Sequence, residues 1–165
     1  MFDAKALLAG DETALADAVD TLSPELYRYA AGILLNRYDA EDAVQCAFMS
    51  LWRHRTSVEN PDAVRAYLYR CTYRAAVDVI RRSRLYIPVQ KQGTACPVSE
   101  EMRAALSRLS AVERAVVYER AVMETPYADL AAHLGLKEDA VRKKYERAKK
   151  KLAVYLRDAE KGEKT

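Results

Sequence analysis

Apolar residues recur at intervals of three and four over most of this chain, the period of a helix that buries one face. The longest gapless run is Ala40, Ala43, Val44, Ala47, Phe48 and Leu51, and it predicts a helix that Asp39 caps. Upstream, Ser23-Pro24-Glu25 offers an N-cap, a first-turn proline and an early acid. Leu26, Ala30, Ile33 and Leu34 continue at helical spacing, so a helix is predicted over about 24–36. Asn60-Pro61 is a second start of the same kind. Val64, Leu68, Cys71, Ala75 and Val79 then form one apolar stripe along a helix reaching about Arg84, with the polar segment 54–59 as the loop before it.

Residues 85–98 lose all periodicity and hold Pro88, Gly93 and Pro97, which reads as a linker. Beyond it, Ser110 to Glu113 matches a capping box ahead of Val116, Val117 and Arg120, predicting a helix to about Met123. Thr125-Pro126 opens a shorter helix that closes at Gly135, and a turn leads into a long one from about Glu138 to Arg157. Two helices joined by a tight turn, the second strongly basic, have the sequence shape of a helix-turn-helix. The expected fold is all-α. Two small helical domains, residues 1–85 and 101–165, are joined by a flexible linker at 86–100, and the second carries the helix-turn-helix.

Composition supports this organisation. A length of 165 residues suits one domain or two small helical ones, and only five Gly and five Pro interrupt them. No stretch approaches the roughly 18 apolar residues of a membrane span, and the opening Met1 to Lys5 lacks the apolar core of a secretion signal, so the expected location is cytoplasmic. Cys46, Cys71 and Cys96 are far apart and accompanied by two histidines, which predicts buried spectator thiols and no metal site. No Ser/His/Asp or Cys/His set and no Gly-rich phosphate loop appears, so neither an enzyme, a cofactor nor a small-molecule substrate is expected.

Charge is unevenly distributed beneath the modest net of +3. Residues 1–85 carry 11 Lys and Arg against 12 Asp and Glu, whereas residues 101–165 carry 15 against 11. Seven basic residues and one acid lie between 142 and 151. On the last helix, Val141, Tyr145, Ala148 and Leu152 form the apolar stripe, which leaves Lys143, Arg147 and Lys150 opposite and Arg142 and Lys144 on the flanks. As the second helix behind a tight turn, this face can reach base edges and phosphates. The face of the 61–84 helix opposite its apolar stripe presents Arg70, Tyr73, Arg74 and Arg81. Arginines interleaved with aromatics suit unpaired nucleic acid, although a solvated basic face with tyrosines at the core margin explains the same pattern. Asp39, Glu41 and Asp42, with Gln45 beyond them, form an acidic helix start that the backbone dipole by itself favours.

Leu26-Tyr27-Arg28-Tyr29-Ala30, then Asp39 to Gln45 with Phe48 and Leu51-Trp52, then Ala66 to Arg70 and Asp78 with Arg81-Arg82, resemble the second region of the extracytoplasmic function group of bacterial RNA polymerase sigma factors. The segment from Leu109 to Leu152, with Tyr127 to Ala131 and Leu134-Gly135-Leu136, resembles their fourth region. This resemblance implies that Asp39, Glu41, Asp42 and Gln45 dock on core RNA polymerase. It implies that Arg70, Tyr73, Arg74 and Arg81, with the loop ending at Asn60, open and read the minus-ten element. Arg142, Lys143, Lys144, Arg147 and Lys150 would then read the minus-thirty-five element as duplex promoter DNA, and an anti-sigma factor is a possible further partner. The chain departs from the group at Gln45-Cys46, where Gln-Glu is common, at Tyr73-Arg74, where many members have Arg-Asn, and at Arg142-Lys143-Lys144, where the pattern is Lys-Ser-Arg. The rival reading is a stand-alone helix-turn-helix regulator with a sensing or dimerising N-terminal half. Such a regulator has no use for the basic and aromatic face at 70–84.

Overall fold

A computed structural model describes residues 2–83 and 99–162. Its described residues form eight α-helices and no strand. The short α1 (Ala4–Ala9) lies between an Asp3 cap, which accepts from the amides of Lys5 and Ala6, and Gly10 at φ 99°. Six residues are too few to show a helical period, and the sequence pattern does not reveal them.

Helix α2 (Glu12–Leu34) starts at the Asp11 cap and runs through Pro24, correcting the expected start at Ser23-Pro24. Proline removes one helical hydrogen bond at a cost of about 3 kcal/mol. The buried row Ala14, Ala18, Leu22, Leu26 and Tyr29 continues on both sides of it, and each large apolar side chain contributes roughly 1.5–3 kcal/mol, so burial outweighs the break. Helix α3 (Arg37–His54) is capped by Asn36, whose Oδ1 accepts from the amides of Tyr38 at 3.0 Å and Asp39 at 3.2 Å. The cap expected at Asp39 is therefore a first-turn acid. The predicted apolar row of α3 is buried in full.

Asn60 caps as expected, accepting from the Asp62 amide at 2.9 Å, but the first turn (Pro61–Ala63) is 3-10 before α4 (Val64–Ser83) begins. The buried row of α4 is Val64, Leu68, Thr72 and Ala76 with Tyr69, whereas Cys71, Ala75 and Val79 are half-buried. The helix is rotated from the predicted orientation because it packs on α2 and α3 and also on the C-terminal half.

In the C-terminal half, α5 (Glu100–Ser107), capped by Ser99, is followed by α6 (Ala111–Ala121). The predicted capping box is present: the Ser110 amide donates to Glu113 Oε2 at 2.9 Å and the Glu113 amide donates to Ser110 Oγ at 3.3 Å. Helix α7 (Tyr127–Leu134) closes at Gly135, whose φ of 65° favours a residue without a Cβ. Helix α8 (Glu138–Gly162) extends past the expected end at Arg157. The expected linker falls almost wholly on 84–98, outside the described residues; its last expected residue, Glu100, opens α5.

The two halves are packed together. One buried core joins Leu26, Tyr29, Leu51 and Leu68 to Val116, Leu130, Leu134 and Val141. At Gly32 in α2 the two halves pass close together: a Cβ there would lie 3.0 Å from the Tyr118 ring of α6. Leu35, just after α2, adopts φ 56° and ψ 25°, a conformation that costs a residue with a Cβ about 1–2 kcal/mol. Its side chain packs against the second cluster, formed by Leu106, Leu109 and Ala148 of the C-terminal half.

Candidate polymerase and nucleic-acid interfaces

Helix α8 buries Val141 and Ala148 and half-buries Tyr145 and Leu152, as the stripe predicts. Its outward cations fall into two kinds. Lys143, Arg147 and Lys150 lie at i, i+4 and i+7, are exposed, and make no ion pair or hydrogen bond among the described residues. Arg142 is engaged: its Nη2 donates to Glu138 at 2.8 Å and its guanidinium lies 4.4 Å from the Tyr127 ring centroid. Lys144 is half-buried on the flank, Lys149 pairs with Glu146 at 3.3 Å, and Lys151 pairs with Glu113 at 2.7 Å. Burial by itself raises the Glu113 carboxyl, but the Lys151 ammonium and Ser110 outweigh it and hold the group below its ordinary value. Hence Lys151 ties α8 to the start of α6.

On α4, Arg74 is exposed without a partner among the described residues, and Arg81 is exposed with Asp78 at 3.3 Å. Arg70 is half-buried, 5.5 Å from the Tyr67 ring centroid. Tyr73 is half-buried and packed against the main core; burial, then the charge of Glu119 on α6, raises its phenol above the ordinary range. The four α4 residues thus do not form one open surface here. Asn60 is exposed and lines a cleft of 890 Å³. Ser57, Tyr67 and Arg70 line one side of this cleft and Met123, Thr125 and His133 the other.

Glu119 also lines this cleft and is buried to 1% exposure. The Tyr29 hydroxyl donates to its Oε1 at 2.6 Å, and His133 Nδ1 lies 2.6 Å from its Oε2. The His133 ring in turn stacks on Tyr69 with centroids 6.0 Å apart. Burial first, then the Glu119 carboxylate, pushes the Tyr29 phenol well above its ordinary value, so it stays a neutral donor. Beside it, Arg114 Nε donates to the Ile33 carbonyl at 2.5 Å and Nη1 to the Leu109 carbonyl at 2.8 Å, while burial lowers the Arg114 pKa. The sequence pattern missed Glu119 and Arg114, because each reads as a polar position on an amphipathic helix.

At the start of α3, Asp42 and Gln45 are exposed, Asp39 and Glu41 are half-buried, and Glu41 accepts from Arg37 Nε at 3.0 Å. The same side exposes two large apolar side chains, Tyr38 at 48% and Met49 at 61%. Tyr38, Asp42, Gln45 and Met49 stand at helical spacing and make one mixed acidic and apolar stripe. Cys46 is exposed beside it and Cys71 is half-buried, so these two are not the buried thiols expected; Cys96 lies outside the described residues. Among the described residues no group of three or more His, Cys, Asp or Glu is placed to hold a metal, and no helix is long and apolar enough to cross a membrane.

The family model for sigma-70 region 2 matches residues 18–85 and that for sigma-70 region 4 matches residues 99–152. The chain is 29% identical over 157 residues to the ECF RNA polymerase sigma factor SigM of Mycobacterium tuberculosis, covering 90% of this chain and 80% of that protein. It is 29% identical over 92 residues to SigW of Bacillus subtilis, covering 54% and 49%. Its fold matches CnrH, solved in complex with the cytosolic domain of CnrY, with a TM-score of 0.74 at 24% identity over 94% and 95% of the two chains. It also matches RpoE of Bartonella quintana, solved with the anti-sigma factor NepR, with a TM-score of 0.71 at 22% identity over 86% and 96%. Regions 2 and 4 in that order on one chain define a sigma factor, a non-enzymatic transcription initiation factor. Within that class, the chain belongs to the extracytoplasmic function group of bacterial RNA polymerase sigma factors.

Proposed function

We propose a division of labour among three surfaces. The stripe of Asp39, Glu41, Asp42 and Gln45, with Tyr38 and Met49 as apolar contacts beside the acids, docks on core RNA polymerase. Arg70, Tyr73, Arg74 and Arg81, with the loop ending at Asn60, hold the unpaired strand of the minus-ten element. The outward row Lys143, Arg147 and Lys150, flanked by Arg142 and Lys144, reads the minus-thirty-five duplex. Residues 1–85 and 101–165 are the working units, joined through 86–100.

The observation that carries this reading is the free cationic row on α8, on the second helix behind the Gly135 turn: three long cations a turn apart with no partner among the described residues. Cations left unpaired on a recognition helix suit phosphates and base edges. The chain performs no covalent chemistry and acts in the cytoplasm without cofactor or metal. A relative of the same fold is solved with an anti-sigma factor, and a protein of that kind is the regulatory partner we assign here. Transcription from a promoter library by purified core polymerase, with and without this chain, tests the reading. Transcripts that start at a defined promoter class only when the chain is present are the expected result. Tight sequence-specific operator binding by the chain alone, with no effect on polymerase, would instead establish a stand-alone regulator.

A further inference from the structure

We infer that α1 is a positioning element for base reading: through Arg55 it sets the segment 55–63 in place, so that the outward polar side chains of that loop meet the bases of the minus-ten element. This rests on the minus-ten assignment just proposed, which uses the loop and leaves α1 without a role. The loop consists of two single 3-10 turns, Arg55–Ser57 and Pro61–Ala63, with extended backbone at Val58 and Asn60 between them. Thr56, Ser57, Glu59 and Asn60 are exposed, whereas Val58 in their midst is buried. The hydrogen bonds that shape the loop join near neighbours. The Val58 amide donates to the Arg55 carbonyl at 3.1 Å, the Ser57 hydroxyl to the His54 carbonyl at 2.7 Å, and the Ala63 amide to the Asn60 carbonyl at 3.0 Å. Bonds this local fix the form of each turn, not its place on the fold.

Helix α1 supplies the place. It packs against both 3-10 turns, and its wholly buried Leu7 shares one core with Val58 and Val64. The junction is Arg55. Its Nη1 donates to the Trp52 carbonyl at 2.7 Å, and its guanidinium lies 4.4 Å from the Trp52 ring centroid. The other edge of the guanidinium faces Gly10, where a Cβ would stand 3.4 Å from Nε and 3.5 Å from Nη2. Gly10 serves the contact twice, since its φ of 99° turns the chain out of α1 and its lack of a side chain lets Arg55 approach. Hydrogen bonds to a base edge weaken steeply when distance or angle is wrong, whereas stacking and phosphate attraction tolerate displacement. A loop that shifts on the fold therefore loses the distinction between bases before it loses its hold on the strand.

Gly10→Ala and Arg55→Met disturb the junction from its two sides in the full chain. Each variant is assembled with core polymerase and bound to labelled single-stranded minus-ten oligonucleotides that differ at one base. A base that is read is favoured about fivefold or more over its substitutes, and both variants should reduce that ratio at least about threefold at one or more positions. Helical content by circular dichroism should stay as in the wild type. A smaller folded fraction weakens every oligonucleotide by one factor and leaves the ratios alone. Wild-type ratios at every position, with or without a uniform loss of affinity, would therefore overturn the positioning role. Ser57→Ala and Asn60→Ala, measured alongside, test the assignment beneath it. If neither alters any ratio, the loop does not read the element and the assignment itself falls. If they do and the junction variants do not, only the role of α1 falls. Should one junction variant lose helicity, the other decides.

Discussion

The α8 cations differ by what already holds them. Arg147 projects without a partner among the described residues, whereas Arg142 is held by Glu138 and by the Tyr127 ring. Arg147→Ala should therefore lower promoter affinity by about 1–3 kcal/mol and relax preference at one minus-thirty-five position, as a lost base contact does. Arg142→Ala should cost less binding, since Glu138 and the Tyr127 ring already engage that guanidinium within the protein. Competition assays on promoters scanned position by position at two salt concentrations separate a base contact from a phosphate contact, which would weaken every sequence alike. At Tyr73 the ring is expected to stack on an unpaired base after opening, a contact of roughly 1–3 kcal/mol. Tyr73→Ala should thus impair transcription from a closed promoter much more than from a template pre-melted across the minus-ten element. Equal loss on both templates would make it a packing residue.

Elements impose their own tests. The start of α3 is set by Asn36, not by Asp39, so the acids there are free of a capping duty. Replacing Asp39 and Asp42 together by Ala is expected to weaken capture of core polymerase in a pull-down while leaving the circular dichroism spectrum unchanged. At α6 the cap is structural: Ser110→Ala removes the hydroxyl that accepts from the Glu113 amide and loosens the carboxylate that Lys151 holds from α8. A cap of this kind is worth about 1 kcal/mol, and denaturant unfolding should show a loss of that size.

For the molecule as a whole, the contact between halves makes stability depend on alkaline pH. Tyr29 keeps its proton in the folded state because burial and Glu119 disfavour the phenolate, while the unfolded chain ionises near the ordinary tyrosine value of about 10. A pKa raised by folding gives stability that is complete below the unfolded value and lost as pH climbs above it. Thermal melts from pH 8 to 11 should accordingly fall in the upper part of that range. Tyr29→Phe should flatten this fall and lower stability at neutral pH, since Glu119 Oε1 then loses its donor. Tyr69, Tyr73 and Tyr118, also raised by burial, supply what remains of the alkaline dependence.

Periodicity made α3 and α8 legible because each buries a single stripe, so the spacing of apolar residues alone determines which side faces inward. Capping chemistry likewise located the starts at Asn60 and Ser110 and the stop at Gly135, all local signals that need no distant partner. Local signals also misled. Ser23-Pro24 has the form of a helix start, yet burial on both sides carries α2 through it. The rotation of α4 was beyond a stripe count, because α2, α3, α6 and α7 all compete for its surface and bury Tyr69 and Thr72 in place of Cys71 and Val79. The same limit applies to the site. The sequence by itself determined which residues are basic, acidic or aromatic and on which helices they ride. Only the tertiary structure decided which cations on α8 are free and which are spoken for. It alone brought Tyr29, Glu119 and His133 together from positions up to 104 residues apart in the chain, because a buried carboxylate demands partners wherever the fold can supply them.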